Sequence, residues 1–150
     1  NFQLMNFSPL IVSAIVLYLS GAIRIIDAYR TGNQKFKVCC ARQKDADKTC
    51  KRKFCDFNAI RQDNMLFYLS TCSIKGATVR RMWDCASSRI DHTECCKNSN
   101  VQSECLVFCN ATNAVPEDYY NHLHCLQSFG GIRNCFQSYL NEHPNIFGDN

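Results

Sequence analysis

The chain has 150 residues, twelve of them cysteine, and a formal net charge of +4. That length suits one domain or two very small ones. Cysteine at this density in a short chain points to a disulfide scaffold, and the even number allows every thiol to be paired.

In chain order, residues 1–4 (NFQL) precede Met5, which reads as the initiator. From Met5 the chain runs MNFSPLIVSAIVLYLSGAIRIIDA, with an apolar heart at 10–19. Such a run is too short to span a membrane and suits the central region of a signal peptide. SGA at 20–22 supplies the small residues of a cleavage site, which places the mature start near Ile23. Cleavage after Ala28 is the competing choice. No Lys or Arg precedes the apolar run, and a retained anchor helix is the alternative reading. Residues 1–22 are thus upstream residues plus signal peptide, and 23–38 an N-terminal extension. The remaining 128 residues hold all twelve cysteines and no second apolar stretch of membrane-spanning length.

The cysteines fall into two sets of six. Cys39, Cys40, Cys50, Cys55, Cys72 and Cys85 give the pattern CC-x9-C-x4-C-x16-C-x12-C. Cys95, Cys96, Cys105, Cys109, Cys125 and Cys135 give CC-x8-C-x3-C-x15-C-x9-C. CDFNAI at 55–60 also lies opposite CNATNAV at 109–115. The expected organisation is two pseudo-repeats of a six-cysteine unit, 39–85 and 95–135, joined through ASSRIDHTE at 86–94. Residues 137–150 are a C-terminal tail.

Within each unit the pattern is helical. FNAIRQDNMLFYLSTC (57–72) and ATVRRMWDCASS (77–88) supply helices in the first. In the second, Cys105 and Cys109 stand one helical turn apart, and EDYYNHLHCLQSF (117–129) opens with acids and ends before Gly130-Gly131, read as a stop. IRNCFQSYLNEHP (132–144) places Ile132, Cys135, Phe136, Tyr139 and Leu140 on one stripe before Pro144. The fold class is therefore small, disulfide-rich and all-α, with roughly three short helices per unit around a small core that includes Trp83.

Stapling has a physical reason, because a unit of about fifty residues buries too little apolar surface to hold short helices together. Zinc fits poorly: there is no C-x2-C knuckle, and adjacent cysteines project awkwardly for one tetrahedral ion. A catalytic cysteine served by His92 fares no better, since the pair beside it is better explained by stapling. His122 and His124 are two residues apart and do not share a helix face. No catalytic residue, cofactor or metal is therefore expected. Cys39 with Cys40 and Cys95 with Cys96 would close strained rings, so neighbours take different partners, as do Cys105 and Cys109, and Cys50 and Cys55. Equivalent cysteines should pair equivalently within each unit or exchange symmetrically between units, leaving no free thiol.

CCARQKDADKTCKRKFCDF, the lone Cys72, WDCASSRIDHTECCKNSNVQSECLVFC, Cys125 and IRNCF together resemble the DB module. The resemblance covers 39–136 and implies a twelve-cysteine extracellular domain with six disulfides, sometimes beside immunoglobulin-like modules. It brings no catalytic residue with it. Two details depart from the usual form: NAT follows Cys109 where a glycine is usual, and the segment KTCKRKFC is unusually basic.

Charge is unevenly spread. Residues 35–85 hold 12 Lys/Arg against 5 Asp/Glu, a net +7, and 94–150 hold 2 against 6, a net −4. Lys48, Lys51, Arg52 and Lys53 form the basic focus, suited to a sulfated glycan or an acidic partner surface or else simply a solvated helix face. Asn110-Ala111-Thr112 is the only glycosylation sequon of the mature chain, since Asn6-Phe7-Ser8 falls in the signal. The functional expectation is a secreted, non-enzymatic binding module for an extracellular protein or glycan. A small secreted effector, a protease inhibitor or toxin-like peptide, is the alternative. Neither nucleic acid nor stable membrane insertion is expected.

Overall fold

In the computed structural model the described residues are 29–150. The proposed leader, both cleavage positions and Asn6 lie outside them. Thr31–Asn150 forms one contact unit. It contains α1 (Gly32–Arg42), α2 (Lys48–Phe54), α3 (Met65–Cys72), α4 (Thr78–Ser87), α5 (Thr93–Asn98) and α6 (Phe129–Glu142). Three 3-10 segments, Gln62–Asn64, Ser103–Phe108 and Tyr119–Ser128, complete the set. Among the described residues there is no strand, only an isolated antiparallel bridge between Asp91 and Asn110. The fold is all-α and disulfide-rich, as the sequence implies.

Thr31 starts α1 with a reciprocal cap: its hydroxyl accepts from the Gln34 amide at 3.3 Å, and the Gln34 side chain accepts from the Thr31 amide at 2.9 Å. This helix buries Phe36, so packed structure begins inside the stretch set apart as an N-terminal extension. Its first residue is glycine for a reason of space. A Cβ on Gly32 would lie 2.7 Å from the Gln137 carbonyl oxygen of α6. The two helices approach at that point, and the Gly32 amide donates to Asn141 Oδ1 at 2.7 Å. Asp47 caps α2 by accepting from the Cys50 amide at 2.9 Å.

The second half departs from the expected α-helices. Residues 103–108 and 119–128 are 3-10, and the latter is kinked at His122 (φ −112°, ψ 22°). Both are short stretches held by the Cys105–Cys125 bond, and short pinned segments favour the tighter i→i+3 turn. Gly130-Gly131 is not a stop, because α6 runs through both from Phe129. Gly131 instead serves close packing: a Cβ there would lie 3.0 Å from Val101 Cγ2 and 3.2 Å from the Ser99 carbonyl oxygen. Nor is each half three helices, since the first carries α1 to α4 and the second α5, α6 and two 3-10 segments. Residues 137–150, set apart as a tail, contain the end of α6 with Leu140 fully buried.

All twelve cysteines are bonded, and every bond lies within its own set of six. The pairs are Cys39–Cys85, Cys40–Cys55 and Cys50–Cys72, then Cys95–Cys135, Cys96–Cys109 and Cys105–Cys125. Numbered along each set, both halves pair first with sixth, second with fourth and third with fifth. Each such closure contributes about 2–4 kcal/mol, largely by restricting the unfolded chain. The halves share one core. Trp83 of α4 meets Phe108 edge-on at 5.9 Å and Phe136 at 5.3 Å, and α6 packs on both α1 and α4.

Candidate functional site: a basic depression on α1 and α2

The basic run KTCKRKF becomes a site because it is wound as a helix. On α2, Lys48, Lys51 and Arg52 are spaced three and four residues apart and share one face. The Cys40–Cys55 bond draws that face against α1. A shallow depression of about 360 Å³ results, lined by Lys37, Cys40, Ala41, Lys48, Lys51, Arg52 and Cys55. Four cations thus surround a floor of small side chains and a disulfide.

Their partners differ. Lys37 pairs with Asp56 at 2.6 Å, and Lys51 donates to the Gln43 carbonyl oxygen. Lys48 and Arg52 are exposed and make no ion pair or hydrogen bond with the described residues. The nearby acids are already taken: Asp45 by Arg81 at 2.8 Å and Asp47 by Lys75 at 3.1 Å. Hydrogen bonding from Arg81 holds the Asp45 carboxyl below the usual range, and the Cys50 amide and Lys75 do the same for Asp47. Both acids are therefore ionised but occupied, so the depression keeps its positive field.

Lys53 is not part of this group. Its ammonium lies 4.4 Å from the Phe67 ring centroid and 5.2 Å from that of Phe54, against the α3 side. Lys37 takes the fourth place, a residue the sequence reading passed over. Its signal was the i, i+4 spacing with Ala41, which counts only once 32–42 is known to be helical.

The other candidates are placed as follows. His92 is buried, its Nε2 2.8 Å from the Ser87 carbonyl oxygen and its ring packed on Phe136 and Tyr139. Burial pushes its pKa below the ordinary histidine value. Of the described residues, only Cys105, His124 and Cys125 cluster at metal-ligand spacing. Their two sulfurs are bonded to each other, so the cluster offers one imidazole and no thiolate. Asn110 lies in a turn, its Oδ1 accepting from the Thr112 hydroxyl at 2.6 Å and the Thr112 amide at 3.3 Å. No described helix is long and apolar enough to cross a membrane.

The family model described as the DB module matches residues 39–136, from the first cysteine to just past the last. The chain belongs to the DB module family. In this DB module the basic depression is built on the first cysteine pair and the helix that follows it. No curated protein and no solved structure matches the chain.

Proposed function

We propose that this DB module is a secreted, non-enzymatic interaction module that holds a sulfated glycan, or an acidic protein face, in the depression between α1 and α2. The carrying observation is the set of four cations around one depression, two of which, Lys48 and Arg52, have no partner among the described residues. Unpaired cations in fixed register bind anions without first breaking an internal pair, and the disulfide beneath them limits the ordering entropy of binding. Twelve paired cysteines support an oxidising, extracellular setting. Asn110, in its exposed-side turn, is the proposed glycan acceptor.

The test is retention on heparin. Wild-type protein should be held at low salt and released as salt screens the charges. Lys48→Gln with Arg52→Gln should shift elution to clearly lower salt, while Lys53→Gln should elute with the wild type. Equal elution of all three would make the cluster a solvated face.

A further inference from the structure

Beside the basic depression, and separate from it, the core is incompletely filled where the two halves meet. A partly open cavity of about 110 Å³ lies there. Its walls come from Phe36, Met65 and Met82 on one side and Leu123, Leu126 and Phe136 on the other. An enclosed apolar space of about 150 Å³ stays dry and takes up benzene; this smaller and partly open one has room for a short chain end. It is too small for a polypeptide helix.

The polar groups around it are few and unequal. Asp56 is paired with Lys37 at 2.6 Å, and His122 lies 3.4 Å from Asp118. Half-buried Arg133 has no carboxylate partner among the described residues. Its Nη1 donates to the Ile60 carbonyl oxygen at 3.4 Å and its Nη2 to Asn134 Oδ1 at 3.3 Å, both long. Its Nε is buried with no hydrogen-bond partner among the described residues. A buried donor left unmet is unfavourable, and a guanidinium edge matches a carboxylate with two parallel hydrogen bonds. Tyr68, also on the wall, gives its hydroxyl a sulfur acceptor, Met82 at 3.8 Å.

We propose that the cavity binds a small single-chain amphiphile with an anionic oxygen head, of the medium-chain fatty acid class. The apolar end lies among the aromatic and Met side chains, and the head sits on Arg133 at the rim. The remainder of the chain lies along the mouth, where Leu123 is exposed. A glycan cannot satisfy these apolar walls, so the ligand differs in kind from that of the basic depression.

The chain contains a single tryptophan, Trp83, and it lines the cavity, so its fluorescence reports occupancy directly. Titration of the full, non-reduced protein with octanoate should change Trp83 emission saturably at one site per chain. Octanol, with the same tail and no charge, should bind about tenfold more weakly. Arg133→Gln should bring octanoate down to the level of octanol and leave octanol unchanged, and Ala86→Phe should abolish both. Equal affinity for octanoate and octanol in the wild type overturns the assignment of the head to Arg133, whatever the variants do. An unchanged Trp83 signal with both ligands overturns the site itself, with no bearing on heparin retention.

Discussion

Cys95 is exposed, whereas the other eleven cysteines are buried. Thiol–disulfide exchange needs a thiolate to reach a sulfur, so accessibility sets the order of reduction. With limiting reductant, Cys95–Cys135 should open first, read by alkylating the freed thiols and mapping them. Another pair opening earlier would mean that local unfolding, not access, controls reduction. His92 sets a second residue-scale behaviour. Its folded pKa lies below the unfolded value, so the unfolded chain binds the extra proton first. The stability it contributes is complete above the unfolded pKa of about 6.5 and is lost as pH falls through that value toward the folded one. Thermal melts should fall between about pH 7 and 5 in the wild type, and His92→Gln should flatten that slope. Asp91 beside it has its pKa lowered by Thr93, so its own loss of stability comes at more acid pH.

At the scale of elements, the glycines separate two demands that look alike in sequence. Gly130 faces open space within α6, so Gly130→Ala should stabilise by about 0.5–1 kcal/mol. Gly32→Ala places a Cβ against the backbone of α6 and should destabilise by about 1–3 kcal/mol. Urea unfolding of the two variants would show the opposite signs. This contrast also explains what was legible beforehand. The stripe Ile132, Phe136 and Leu140 announced α6, because burial on one face leaves a helical period in the sequence. Its true start did not, because Gly130-Gly131 reads as punctuation unless Ser99 and Val101 are known to press on it. The 3-10 winding of 103–108 and 119–128 left no trace either, since the disulfide partner that tightens each lies elsewhere in the chain. The basic site was half legible: charge marked α2, but only tertiary packing could add Lys37 and turn Lys53 away.

For the whole molecule, the two halves are stapled separately yet packed as one. Trp83 finds Phe108 and Phe136 across the junction, so neither half buries its own core alone. Residues 31–88 and 89–150, expressed apart and oxidised, should each give mixed disulfide isomers, while 31–150 should give one dominant product by non-reducing chromatography. A single isomer from either half would show that the shared core is dispensable for pairing.

Within each half the second–fourth and third–fifth bonds interleave inside the loop closed by the first and sixth cysteines. A protease that nicks the chain inside either loop therefore releases nothing, because the severed ends stay linked through sulfur. The stretch 86–94 is the exception, since none of the six bonds spans it. Arg89 stands there, exposed and at φ 56°. A single cut after it leaves two pieces with no covalent link, held together by the shared core and by contacts such as the Gly32–Asn141 hydrogen bond. The covalent unity of the two halves against proteolysis thus rests on one short connector.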